Sequence, residues 1–182
     1  MRNLIFDLDM QTNIAMGYED TLPKIKQILQ FAHDEDILIA GTTYYDCYQA
    51  LEKIEDTCVA IKEQFYNVPI TRHGIDTDLA HDCKQVYFEK QGPDIWDTIL
   101  GQPDNLNTYL RTSEVGTIFI VGHNYLGSLM STVTGLLNMA HNVIIIEDAM
   151  SGINNDLIEN MSEITGVEFM STSDVFGEHI DG

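Results

Sequence analysis

Reactive side chains in this 182-residue chain collect where apolar runs end: Asp7 and Asp9, Gly41 to Tyr45, Glu89 and Lys90, Gly122 to Ser128, and Glu147 and Asp148. Together these places hold acids, a lysine and a hydroxyl. The most telling of them closes Thr117-Ile-Phe-Ile-Val-Gly-His-Asn-Tyr-Leu-Gly-Ser128. β-Branched and aromatic residues run from Thr117 to Val121 and stop at Gly122. A tight turn follows, and a helical period takes over from Leu129 to Ala140. A helix start after such a turn carries unpaired N–H groups and a dipole that favours developing negative charge. Ser128 stands where a nucleophile would stand. The alternative is an N-cap, which serine performs well and which stabilises by ~1 kcal/mol.

The elements that must position these groups alternate. Strands are predicted at Leu4 to Leu8, Ile37 to Ala40, Val86 to Phe88, Thr117 to Val121, Val143 to Ile146 and Val167 to Met170. Helices are predicted from Asp20 or Thr21, with Pro23 in the first turn, to about His33, and over Tyr44 to Phe65. Further helices are predicted at Ile95 to Leu100, Asn105 to Arg111, Leu129 to Ala140 and Asp156 to Ile164. Val68 to Lys84 reads as loop and Asp174 onward as a frayed tail. Strands alternating with helices imply an α/β protein: a three-layer α/β/α Rossmann-like fold, with a mostly parallel six-stranded sheet, in a single domain over residues 1–182. In such sheets the ligand sits at the carboxyl ends of the strands, near the switch point, where the reactive groups fall.

Composition narrows the function. Hydrophobic residues make up 44% and charged residues 21%, a globular balance. A net charge of −20, from 29 acidic and 9 basic residues, opposes binding to nucleic acid or an anionic membrane surface. No signal peptide or membrane span is legible. Cys47, Cys58 and Cys83 have neither CxxC nor zinc spacing and read as reduced thiols, so a cytoplasmic location is expected.

Two resemblances follow from the motifs. Ile5-Phe-Asp-Leu-Asp9 and Ile146-Glu-Asp-Ala-Met-Ser-Gly-Ile153 resemble the acidic motifs of haloacid-dehalogenase-like phosphatases. The threonine expected after the second aspartate and the preceding lysine loop are absent. The second resemblance runs through nearly the whole chain. Leu8-Asp-Met-Gln11 resembles the first-strand "IDMQ" of isochorismatase-like hydrolases, which include nicotinamidases and carbamoyl amidases. Val86-Tyr-Phe-Glu-Lys90 resembles their lysine strand, and Val121-Gly-His-Asn-Tyr-Leu-Gly-Ser128 their turn of the type G-V-x-T-D-x-C. Ile144-Ile-Ile-Glu-Asp-Ala149 and Met170-Ser-Thr-Ser-Asp-Val175 resemble later segments in the same order.

The second resemblance implies a triad in which Asp9 is the base, Lys90 its electrostatic partner and Ser128 the occupant of the nucleophile position. The backbone N–H groups of Asn124 and Ser128 would form an anion hole, with a strained cis peptide at His123-Asn124. It also implies a small-molecule substrate held by Gln11, Tyr44, His123 and Asn124, no cofactor, and a homo-oligomer. Ser128 departs from the family's cysteine, and a hydroxyl has no accessible anion near neutral pH. The resemblance therefore implies hydrolysis of a C–N bond in a small amide or carbamoyl compound, with three accounts of the serine. It is an inactivating substitution, or it marks an isochorismatase-type vinyl ether hydrolase, or it marks a silent relative that only binds a ligand.

A family-type metal needs D-x-H after the second strand. Gly41-Thr-Thr-Tyr-Tyr45 lacks it, so no metal is expected there. His73, Asp76, Asp78, His81 and Asp82 read as a solvated loop in preference to a metal site. Tyr44, Tyr45 and Trp96 suit either an aromatic pocket or packing. Glu147 and Asp148 suit loop fixing better than chemistry.

Overall fold

The computed structural model describes residues 1–9, 20–44, 70–71, 85–90, 92, 94–98 and 105–177. In chain order these form β1 (Arg2–Leu8), α1 (Leu22–Asp34), β2 (Leu38–Tyr44), β3 (Ile70–Thr71), β4 (Gln85–Lys90), α2 (Ile95–Thr98), α3 (Asn105–Thr112) and β5 (Val115–His123). A short 3₁₀ turn at Tyr125–Gly127 leads into α4 (Ser128–Asn138). Then come β6 (Asn142–Ser151), α5 (Asn155–Thr165), β7 (Glu168–Met170) and α6 (Thr172–Phe176).

All described strand pairs are parallel, in the order β3-β4-β2-β1-β5-β6-β7. The six strands read from the sequence are all present, and the two-residue β3 is an additional edge strand inside the stretch read as loop. The chain builds outward from β1 through β2 to β4, then returns to β5 on the other side of β1. The switch point therefore lies between β1 and β5, and the ends of these two strands flank the crevice where ligands bind in such sheets.

Alternation along the strands divides the interior into two layers. Leu4, Phe6 and Leu8 face one way, with Ala40, Phe88, Ile118 and Ile120, and pack under α2, α3, α4 and α5. Ile5, Ile39, Tyr87 and Val121 face the other way and pack under α1 and α6 through Ile25, Ile28, Leu29 and Phe176. Burial on both faces is why these strands read as nearly continuous apolar runs. Trp96 belongs to packing: it sits against Gly135 of α4, and its indole N–H donates to the Ser131 carbonyl at 3.0 Å.

The tail departs from expectation. Ser171 and Asp174 form a reciprocal capping box, with the Ser171 hydroxyl accepting from the Asp174 N–H and the Asp174 carboxylate from the Ser171 N–H, and this starts α6 where fraying was predicted. Phe176 then seats that short helix against Phe31 and Phe119. The helix predicted over Tyr44 to Phe65 lies outside the described residues, apart from Tyr44 itself, which closes β2.

Candidate active site

β1 ends at Leu8, and Asp9 turns the chain with φ at 53°, a left-handed conformation that aspartate tolerates better than most residues. The Asp9 N–H donates to the Thr42 carbonyl at 3.2 Å. Its carboxylate takes a different donor on each oxygen. The Thr42 hydroxyl donates to Oδ1 at 2.7 Å. The Lys90 ammonium lies 2.6 Å from Oδ2, and both members of this ion pair have no solvent exposure.

Lys90 ends β4, and β2 intervenes between β4 and β1. Two strand spacings amount to about 9–10 Å. Only a long side chain, passing across the end of β2, brings a cation from β4 to Asp9. An ion pair removed from water is worth having only if its geometry is good and its remaining oxygens are satisfied, because desolvation costs several kcal/mol per ion. Burial pushes the Asp9 carboxyl above its ordinary range, and the Lys90 charge and the Thr42 and Ser128 hydroxyls pull it back. Burial likewise pushes Lys90 down, and Asp9, with Asp94 behind it, opposes that.

Ser128 is the first residue of α4 and is fully buried. Its hydroxyl stands beside Asp9 and helps to hold that carboxylate's charge, yet it completes no hydrogen bond among the described residues. The N-cap reading fails, because Gly127 occupies the cap position and the Ser128 side chain caps nothing. Asn124 does that work instead, its Oδ1 accepting from the Leu129 N–H at 3.1 Å.

The turn before Ser128 is held from below. Gly122 adopts φ 123°, and a Cβ there would run into the Leu8 backbone, so the close approach of β5 to β1 requires glycine. Leu126 and Gly127 both have positive φ and reverse the chain into α4. The Asn124 amide also donates to the Gly152 carbonyl at 3.1 Å. His123 is nearly buried, with Nδ1 2.8 Å from the Ser151 hydroxyl. These two expected substrate contacts are thus brought to the mouth of β5, where their visible bonds build the turn.

Two expectations about this turn are corrected. No peptide bond among the described residues is cis, including His123-Asn124. The two N–H groups assigned to an anion hole are already committed, Asn124 to the Ser151 carbonyl at 2.9 Å and Ser128 to the Tyr125 carbonyl. Each closes a local backbone bond, the first continuing the β5–β6 ladder and the second completing the 3₁₀ turn.

Asp7 is separated from this cluster by the left-handed turn at Asp9 (φ 53°), because the pleat of β1 alone would put residues two positions apart on the same face. It faces the opposite side of the sheet, where the Tyr87 hydroxyl donates to its Oδ2 at 2.8 Å. Asp7, Gly41 and Tyr87 are in register on β1, β2 and β4. A Cβ at Gly41 would collide with the Tyr87 ring and the Asp7 carbonyl, so the missing side chain is what lets Tyr87 lie across β2. Burial first, then the neighbouring charge of Asp9, push the Asp7 carboxyl up to about 7 against the pull of the Tyr87 hydrogen bond.

Asp148 acts as a tie. Its Oδ1 accepts from the Thr172 N–H at 2.8 Å and the Thr172 hydroxyl at 2.7 Å, joining a register irregularity late in β6 to the start of α6. Of the remaining sequence candidates, Tyr44 is paired in register with Lys90. Gln11, Tyr45 and the His73 to Asp82 loop lie outside the described residues. Among the described residues, no group of three or more His, Cys, Asp or Glu side chains could hold a metal ion. No described helix is long and apolar enough to cross a membrane. Sequence reasoning missed Thr42, visible only as one member of the Gly41 to Tyr45 span, and missed Tyr87, whose partnership with Gly41 has no sequence signal.

A parallel sheet with helices on both faces, and a buried acid–lysine pair beside a buried serine hydroxyl at its switch point, is a Rossmann-like α/β architecture. The family model of the isochorismatase domain matches residues 3–173, and the chain belongs to that family. Solved structures agree on the fold. N-carbamoylsarcosine amidase from Thermoplasma acidophilum aligns over 94% of this chain and 96% of its own, with a TM-score of 0.63 and 14% identity. A nicotinamidase from Bacillus subtilis aligns over 94% and 100%, with a TM-score of 0.66 and 12% identity. An isochorismatase-like hydrolase from Alkaliphilus metalliredigens aligns over 96% and 97%, with a TM-score of 0.65 and 16% identity. A search of curated proteins finds no significant match. The phosphatase resemblance is thereby overturned, and the structure gives the physical reason: its two aspartates face opposite sides of the sheet.

Proposed function

We propose that the chain is built to hydrolyse a C–N bond in a small amide or carbamoyl compound, with Asp9, Lys90 and residue 128 as the reacting set. The observation that carries this reading is the fully buried Asp9–Lys90 pair, with Oδ2 2.6 Å from Nζ, beside a buried Ser128 hydroxyl that has no hydrogen-bond partner among the described residues. A nucleophile at 128 attacks the carbonyl carbon and gives its proton to Asp9. The C–N bond then breaks, and Asp9 returns that proton to the departing nitrogen. Water hydrolyses the acyl enzyme by the same route. Lys90 holds Asp9 ionised against burial, and the positive end of α4 favours the anion formed at its N-terminus. Gln11, Tyr44, His123 and Asn124 are the residues assigned to the substrate side, and amidases among the structural relatives support the reaction class.

Serine is poorly activated by a carboxylate alone, so residue 128 decides whether this machinery runs. Ser128→Cys supplies a nucleophile with an accessible anion. Assayed on a panel of small amides and carbamoyl compounds by release of ammonia or amine, that variant should gain activity, and adding Asp9→Asn should abolish it. A Ser128→Cys chain inert across the panel removes the amidase reading.

A second reading is favoured by the committed N–H groups of Asn124 and Ser128. Protonation of a vinyl ether by Asp9 requires no anion hole, and burial, which raises Asp9, favours its acid form. Hydrolysis of a vinyl ether that survives Ser128→Ala would select this reading over the first.

A further inference from the structure

We infer that Thr42 is a positioning residue of this site, holding the Asp9 carboxylate in its reactive orientation and in its ionised form. The inference deepens the proposed function, because it concerns the group assigned there as base, but its geometry stands independently of the substrate. Thr42 grips Asp9 twice. Its carbonyl takes the Asp9 N–H at 3.2 Å, and its hydroxyl donates to Oδ1 at 2.7 Å. Thr42 is paired in register with Leu8, so the first of these bonds extends the β1–β2 ladder by one residue, into a backbone that has already turned to φ 53°. A left-handed aspartate persists only where its surroundings over-determine it, and Thr42 supplies both backbone and side-chain restraint.

The hydroxyl does something that Lys90 cannot. A carboxylate held at one oxygen by a flexible ammonium can still rotate about its last torsion, which is broad and roughly two-fold. With Thr42 on Oδ1 and Lys90 on Oδ2, the two oxygens are no longer interchangeable, and the edge presented to Ser128 is fixed. Thr42 is 1% exposed, so water does not compete for the bond. The charged and titratable groups around Asp9 are Lys90 from β4, Asp7 from β1 and, behind Lys90, Asp94; Ser128 adds a hydroxyl from α4. Among the described residues, Thr42 provides the uncharged hydrogen bond that completes this set.

The test needs no turnover. In the full chain, the carboxyl carbon of Asp9 is titrated by ¹³C NMR in the wild type, Thr42→Val and Thr42→Ser, with Asp9→Asn to assign the signal. A hydrogen bond to a charged group is worth about 1.5–3 kcal/mol, equivalent to roughly one to two pH units. Thr42→Val should raise the Asp9 midpoint by about one unit or more, and Thr42→Ser should restore it. An unchanged midpoint in Thr42→Val, or a shift that Thr42→Ser fails to reverse, overturns the inference. Should Thr42→Val not fold, Thr42→Ala carries the same comparison against Thr42→Ser. In the Ser128→Cys background, the rate at which iodoacetamide alkylates the introduced thiol provides a second readout, expected to fall several-fold with Thr42→Val. An intact Thr42 effect in a Ser128→Cys chain that hydrolyses no amide would refute the proposed reaction and leave the positioning role standing.

Discussion

Replacing Asp7 by asparagine should make the protein more stable above neutral pH, although it removes a charge next to the site. The carboxyl is 1% exposed, has one hydrogen bond, from Tyr87, and has an Oδ1 without a partner among the described residues. These surroundings raise it from 3.8 to about 7. The sign follows from proton binding. Below about pH 4 the group is protonated in the folded and unfolded chains alike and stability is unaffected. Between about 4 and 7 the unfolded chain ionises while the native chain keeps its proton, so stability falls by about 1.4 kcal/mol per pH unit. Over a window of about three units the loss reaches about 4 kcal/mol and is complete above pH 7. Asparagine keeps an oxygen for the Tyr87 hydroxyl and does not titrate. Urea unfolding of both chains at pH 4.5, 6 and 8 should give curves that are close at the lowest pH and diverge to a gain of up to about 4 kcal/mol for Asp7→Asn at the highest. A difference independent of pH, or a variant less stable at pH 8, would refute the reasoning. Any hydrolytic activity should survive the substitution, because Asp7 lies across the sheet from Asp9.

The buried ion pair makes a contrasting prediction. Lys90→Met leaves the Asp9 charge uncompensated and should destabilise the fold by about 3–5 kcal/mol, whereas Asp9→Leu combined with Lys90→Met should recover most of that loss. A denaturation double-mutant cycle reads both. Gly41→Ala forces the Tyr87 ring away from β2 and breaks its bond to Asp7. A loss of about 2 kcal/mol or more is expected, and a Tyr87→Phe background should make the same substitution less damaging if the Tyr87–Asp7 bond carries part of the effect.

The positions and common direction of the main strands were legible because burial on both faces leaves an unambiguous apolar run, and connections that return to the same sheet end impose parallel pairing. The places of Asp9, Lys90 and Ser128 were legible for a related reason: Asp9 and Lys90 stand at the ends of such runs, and Ser128 opens the helical period after the turn that closes another. Less was readable where a contact joins distant residues without a periodic signal. The two-residue β3 lacks a run of its own. The start of α6 carries a local signal, the capping-box spacing of Ser171 and Asp174, but its five residues are too few for a helical period.

What the sequence determined by itself, then, was the set of strand ends and the chemical types standing on them. Tertiary structure decided which of those groups meet. The left-handed turn at Asp9 takes its carboxylate to the face opposite Asp7, although the pleat alone would put residues two positions apart on the same face. The strand order β4-β2-β1 requires Lys90 to cross β2 to reach Asp9, and in doing so it makes Thr42, a residue of no note in the sequence, the second donor to that carboxylate. The same packing closes the Asn124 and Ser128 N–H groups into local bonds, which a linear motif cannot register. Side-chain type is local information, whereas hydrogen-bond partnership depends on strand register and sheet order, and these exist only once the chain has folded.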